Sequence, residues 1–292
     1  MSIRGALRIT HRRIHIVAGI LLVAFTCVQC THTDAIPQAR LVQVTDEQVI
    51  GAGFSESARK MEELARTDHI ALLEYCLDNY REQYRDYACT FIKQERINGY
   101  MGEPQWMEVK FTEKPYSVAM KWTRNATLTD RLIYVEGKFN NQMLVRPASS
   151  LLRMIAPSVL KSPTGPEAMS ATLRPVNMFG FERAMESLLQ VYRKAKSNGN
   201  DLKEEFAGYA QVPFAQRNAM VIVRYLPATG DYPACKTVVA LDLEYLVPIM
   251  VEGYDRDGRL ACQYIYKDVK FNVGLTTNDF LPQANDLQIP AQ

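Results

Sequence analysis

Histidine is scarce in this chain: of its four, His11, His15 and His32 lie near the N-terminus, so the body keeps only His69. Any mechanism that needs two imidazoles is excluded from the body. No G-x-S-x-G, H-E-x-x-H, G-x-x-x-x-G-K-[ST] or G-x-G-x-x-G occurs, which removes the common signatures of hydrolases, zinc proteases and nucleotide binders. Excess charge of one sign is absent too. Past residue 36 the chain carries 30 basic and 31 acidic residues, so bulk charge does not mark it as a nucleic-acid binder. The 47% hydrophobic and 23% charged content of the 292 residues excludes fibrous and disordered readings and fits a globular protein.

Residues 1–13 are basic and free of acids, and Ile14 to Val28 is apolar apart from His15 and Thr26. That is the pattern of an export signal, shorter than the run of about twenty residues a bilayer-spanning helix needs. Residues 1–30 are expected to act as an export signal or N-terminal membrane anchor. Three outcomes stay open: cleavage, lipidation at Cys27 or Cys30, and retention, with Thr26 and Gln29 departing from the small residues that usually precede a lipidated cysteine. The expected location is the bacterial periplasm or cell envelope. A flexible tether over 31–52, a single domain over 53–285 and a tail over 286–292 complete the expected organisation.

Exported proteins tolerate disulfides, and Cys76, Cys89, Cys235 and Cys262 are even in number. Strand register separates Cys235 from Cys262, which predicts free thiols there; Cys76 and Cys89 make the better candidate bridge.

A helix capped by Ser57 is predicted to about Arg66, then one capped by Asp68 along the stripe Ile70, Leu73, Leu77, Tyr80 and Tyr84, and another from Phe181 to Asn198. After Asp86 the period changes to two, as in Tyr116, Val118, Met120 and Trp122. Ten strands follow, over 87–98, 105–113, 116–124, 131–137, 141–146, 202–211, 219–226, 235–243, 247–254 and 259–272. Between 147 and 180, five prolines forbid a continuous element, yet Leu151, Leu152, Met154, Ile155, Val159 and Leu160 are too apolar for a solvated linker. This segment is expected to pack over the body, either as a lid on a cavity or as an irregular insertion closing the core. The predicted fold class is α+β, a curved antiparallel sheet wrapped around two or three helices.

His69, at the start of a helix, is read as solvent-facing and structural. Ser158-Val159-Leu160-Lys161 spells S-x-x-K, but Pro157 and Pro163 leave little room for the helix that chemistry requires. Asp255 to Gly258 reads as a hairpin turn. Lys93, Glu95 and Arg96 read as an ion-pair ladder on an exposed strand face. No catalytic residue, metal site or cofactor is assigned.

Tyr87-Ala88-Cys89-Thr90-Phe91 with Lys93, Glu95 and Arg96, then Lys121-Trp122, Tyr134-Val135-Glu136-Gly137, Gly253-Tyr254-Asp255-Arg256-Asp257-Gly258 and Tyr264 to Leu275, together resemble a bacterial family catalogued as domain of unknown function 1571. The family name carries no activity. The strands Pro115 to Trp122 and Ile133 to Gly137 are also similar to the periplasmic lipoprotein-carrier fold. That resemblance implies a half-open β-barrel closing over helices around an apolar pocket for acyl chains. The resemblance transfers no binding residue; the candidate ligand-binding residues are the strand face carrying Val118, Met120 and Trp122, with Phe111 and Val135 adjacent, the expected partner is a lipid or lipidated protein, and the leader allows membrane association through the N-terminus. The alternatives are an envelope interaction module with a solid core and an enzyme without a familiar motif.

Overall fold

The computed structural model describes residues 40–45, 55–199, 202–228 and 231–290, which belong to one compact unit. The expected leader over 1–30 and most of the tether lie outside the described residues.

Helix α1 (Glu56–Thr67) begins two residues earlier than predicted, because Ser55 rather than Ser57 caps it, its side chain accepting from the Ala58 amide at 3.1 Å. Asp68 caps α2 (His69–Gln83) as expected, accepting from the amides of Ile70 and Ala71. Two short helices, α3 (Ser150–Ile155) and α4 (Pro166–Met169), interrupt the proline-rich segment, and α5 (Phe181–Ser197) follows it. Short runs between prolines escape a periodicity reading, which needs several turns to register.

The strands are β1 (Val42–Val44), β2 (Asp86–Ile97), β3 (Tyr100–Met101), β4 (Gln105–Glu113), β5 (Tyr116–Arg124), β6 (Thr129–Val135), β7 (Met143–Pro147), β8 (Val159–Lys161), β9 (Lys203–Val212), β10 (Arg217–Tyr225), β11 (Lys236–Asp242), β12 (Pro248–Tyr254) and β13 (Leu260–Phe271). They form one antiparallel sheet in the order β1-β9-β10-β11-β12-β13-β2-β4-β5-β6-β7-β8, with β3 attached to β2. Two up-and-down runs thus meet where β13 pairs with β2. The sheet stays open, since β1 and β8 are its two edges. The α+β class and the antiparallel sheet are as the sequence predicts, with three more short strands than expected.

One of these falls in the expected tether: β1 pairs with β9, Val42 opposite Gln211. At the other end, residues 286–288 are not a free tail. Leu287 is buried beside Phe280, Ala119, Ile133 and Leu144 on the outer face of the sheet, and the Gln288 amide donates to Ser158 Oγ at 3.1 Å.

The main core lies between the inner face of the sheet and the helices α2 and α5. Aromatic rings fill it: Tyr87 stacks on Phe111 at 4.9 Å, and Phe181 lies 4.4 Å from Tyr266. Such pairs add roughly 1 kcal/mol each beyond the area they bury. Arg81 of α2 bridges Glu182 and Glu186 of α5 at 2.8 and 2.7 Å.

His69 is buried, not solvent-facing. Its Nε2 lies 3.0 Å from the Ala65 carbonyl, so that nitrogen carries the proton, and Nδ1 accepts from the Tyr192 hydroxyl at 3.0 Å. Burial lowers its pKa to about 4. All four described cysteines are free, so Cys76 and Cys89 form no bridge. Val159–Lys161 is strand, so the S-x-x-K spacing places no lysine one helical turn from Ser158.

Candidate functional site

Alternation along the strands turns Phe91, Lys93 and Glu95 of β2, Met107 of β4, and Met120 and Trp122 of β5 toward the inside. Register carries the same wall onto β6 and β7, because Leu132 lies opposite both Met120 and Val145. Over this wall runs the segment 161–180, and between the two is a cavity of about 160 Å³. At about 30 Å³ per water-sized group, that is room for roughly five methylenes or waters.

The segment is tied down by its backbone. The Tyr116 hydroxyl sits 2.9 Å from the Val176 carbonyl and 2.8 Å from that of Phe179, and Arg183 donates to the Asn177 carbonyl. Pro163, Pro166 and Pro175 have no amide to offer, and the carbonyls of the segment take these bonds.

One end of the cavity is polar. Glu95 is buried; its Oε1 accepts from the Tyr264 hydroxyl at 2.6 Å and from Thr172 Oγ1 at 3.2 Å, while Lys93 Nζ stands 3.2 Å from its Oε2. Lys93 also donates to Thr172 Oγ1, and Arg174 donates to Ser187 Oγ at 2.6 Å. The reading of Lys93 and Glu95 as an exposed ladder is therefore wrong. Both point inward, because they share the parity of Phe91. Across the sheet from the polar end the wall is apolar at Leu132, Met143 and Val145, with Leu128 between Thr127 and Thr129 and with Lys161 opposite Met143.

Of the five candidate ligand-binding residues, Met120 and Trp122 line this cavity; the indole Nε1 donates to Gln105 Oε1 at 2.8 Å. Phe111 and Val118 are fully buried in the aromatic core and do not reach it. Val135 lies on the opposite face, packed against the cluster of Phe280 and Leu287. Strand parity explains this: Val118 and Met120 are opposite Tyr134 and Leu132, so Val135, opposite Ser117, must point away. The lining residues Met107, Leu132 and Met143 went unassigned, although the same parity, once register was known, would have found them.

Among the described residues no cluster of His, Cys, Asp or Glu is arranged to hold a metal, and no helix is long and apolar enough to cross a membrane.

Residues 84–289 match the family described as "Protein of unknown function (DUF1571)", and the chain belongs to that family. No curated protein matches it. Among solved structures it is similar to MucB at 12% identity and TM-score 0.44, covering 72% of this chain and 62% of that one. A chain of the Pseudomonas aeruginosa MucA/MucB complex structure gives 12% and 0.43, covering 77% and 64%. The chain thus spans less than two thirds of MucB. A putative outer membrane lipoprotein-sorting protein domain from Vibrio parahaemolyticus is 15% identical at TM-score 0.34, covering 73% and 99%. Mycobacterium tuberculosis lipoprotein LppX is 12% identical at 0.40, covering 71% and 96%. At identities and scores this low, function has to be derived from the chain's own cavity.

Proposed function

We propose that this DUF1571 protein is a non-enzymatic component of the cell envelope that holds the acyl chain of a lipid or lipidated partner between its sheet and the segment 161–180. The observation that carries the reading is a hollow whose wall is methionine and aromatic side chains, with Met107, Met120 and Met143 beside Trp122 and Phe179. Unbranched thioether side chains repack around irregular apolar guests at little cost.

The volume sets the terms. Five buried methylenes at about 0.8 kcal/mol each stabilise a complex by about 4 kcal/mol, which corresponds to millimolar affinity. Micromolar binding needs about ten, hence a longer chain and a segment 161–180 that lifts to admit it. Affinity should therefore climb with chain length.

A second reading, an interaction module with a filled core, is favoured by the same volume, which falls below the roughly 300 Å³ where ligand pockets begin.

The two tryptophans of the sequence separate these readings. Trp122 lines the cavity, whereas Trp106 faces the other side of β4, under the Arg124 guanidinium. Brominated fatty acids of increasing length, titrated into Trp106→Phe protein, should quench Trp122 with an affinity that rises with length, and should leave Trp106 bright in Trp122→Phe protein. Equal quenching of both, or none below the micellar concentration, would remove the acyl-binding reading and leave the module.

A further inference from the structure

Helix α3 presents its apolar side to solvent. Leu151, Leu152, Met154 and Ile155 are 66%, 53%, 83% and 77% exposed, four of the six residues of the helix. At about 100° per residue these four span an arc of roughly 160°. Arg153 falls outside that arc and turns back to the body, donating to Asp130 Oδ2 at 2.7 Å. A surface helix of a soluble protein has the opposite arrangement, apolar stripe inward and charge outward. Leu128 extends the patch: it is 56% exposed, and its carbonyl accepts from the Ala148 amide at 3.0 Å, just before the helix. Leu128 also lines the cavity, so one residue belongs to both the patch and the cavity wall.

The charges beside the helix are mostly arginine. Asp130 accepts from both Arg146 and Arg153, and Arg131 stands 3.6 Å from Asp286. These three cations against two acids leave one positive charge in excess beside the tip, in a body whose overall charge is nearly balanced. Exposed leucine, isoleucine and methionine next to an arginine cluster suit the headgroup boundary of an anionic bilayer, where apolar side chains leave water and basic ones meet phosphate.

We propose that α3 and Leu128 form a tip that inserts into the surface of an anionic lipid bilayer. This goes beyond acyl binding in the cavity and stands whether or not the cavity takes a chain.

The test reads residue 154 locally, so that anchoring through residues 1–30 does not interfere. In full-length protein carrying Trp106→Phe and Trp122→Phe, Met154→Trp supplies a single reporter, and Tyr100→Trp, at a site equally exposed at 83%, supplies the control on the β2–β3 hairpin. Vesicles of phosphatidylglycerol and brominated phosphatidylcholine should quench and blue-shift the reporter at 154 severalfold more than that at 100. Vesicles of brominated phosphatidylcholine alone should do so much less. A reporter at 154 that stays bright while the protein floats with vesicles, or that is quenched no more than the one at 100, overturns the proposal and leaves a protein partner or a second copy as occupant. Equal quenching with and without phosphatidylglycerol overturns the anionic requirement. Amide hydrogen exchange over 149–156 in the unsubstituted full chain gives an independent reading: slowing on addition of anionic vesicles supports the tip, and unchanged exchange overturns it.

Discussion

Gly180 and Phe111 are in contact so close that only glycine fits: a Cβ at Gly180, where φ is +106°, would stand 2.8 Å from Phe111 Cζ. The chain enters α5 at this point, and Phe111 uses the space to stack on Tyr87 and meet Tyr116 edge-on at 5.3 Å. That is why Phe111 belongs to the core rather than the cavity. Gly180→Ala should destabilise by about 2–4 kcal/mol, the sum of a backbone conformation L-residues avoid and a displaced ring. Gly137, at φ +79° with nothing within 4 Å, isolates the backbone part. Gly137→Ala should cost about half as much or less. Urea unfolding of the two variants makes the comparison, and equal losses would show that the contact with Phe111 is without consequence.

The Lys93–Glu95 pair is buried together, and such pairs behave asymmetrically under substitution. Lys93→Met leaves Glu95 in the wall without its cation and should cost about 3–5 kcal/mol. Removing both charges, as Lys93→Met with Glu95→Leu, should recover most of that loss. Tyr264→Phe removes only the hydroxyl donor and should cost about 1.5–3 kcal/mol, in the range for a hydrogen bond to a charged group. Chemical denaturation of the three variants checks this. A double variant as unstable as the single lysine variant would mean that the pair is held by more than charge compensation.

Cys76 and Cys89 are free and buried, and burial pushes the Cys76 thiol up to about 12 and raises that of Cys89 as well. Thiolate is the reactive form, so both should resist iodoacetamide in the folded protein and react once it is unfolded. Peptide mapping after native and denaturing alkylation reads this directly. Labelling of neither cysteine even after unfolding, restored by reductant, would indicate a bridge.

Long elements were legible in the sequence because their periods repeat. Ten strands and three helices announce themselves through alternation or through a cap such as Asp68. What was missed is short or depends on partners. Three-residue β1 and β8 carry too few side chains for a period, and each is strand only because a neighbour, β9 or β7, offers its edge. The candidate site was half legible for a related reason. Met120 and Trp122 follow from alternation within one strand. Val135 was misplaced because its face depends on pairing with Ser117, which no local pattern encodes. The burial of Glu95 was invisible, since its partner Tyr264 is 169 residues away.

Two buried groups should give the protein opposing pH dependences. Burial lowers His69 from its ordinary 6.5 to about 4. Between those values the unfolded chain binds a proton there that the folded chain refuses, so this contribution to stability rises with pH up to 6.5. Glu113, which accepts from the Tyr80 hydroxyl at 2.7 Å, is raised from 4.5 to about 7, first by burial and then by Glu182 and Glu186 nearby. Here the folded chain keeps a proton that the unfolded one has lost, so this contribution falls as pH climbs from 4.5 to about 7. Half-buried Glu204 is raised as well and adds to the falling side. From 4.5 to 6.5 the slopes oppose each other, each limited to about 1.4 kcal/mol per pH unit. His69→Gln should therefore uncover a loss of stability with rising pH, and Glu113→Gln a gain, each relative to the unsubstituted protein. Urea midpoints taken stepwise from pH 4.5 to 7 read the difference profiles, in which the other carboxylates cancel. A His69→Gln profile parallel to that of the unsubstituted protein would mean that the imidazole takes up its proton as readily in the folded chain as in the unfolded one, and that its neutral assignment between Ala65 and Tyr192 is wrong.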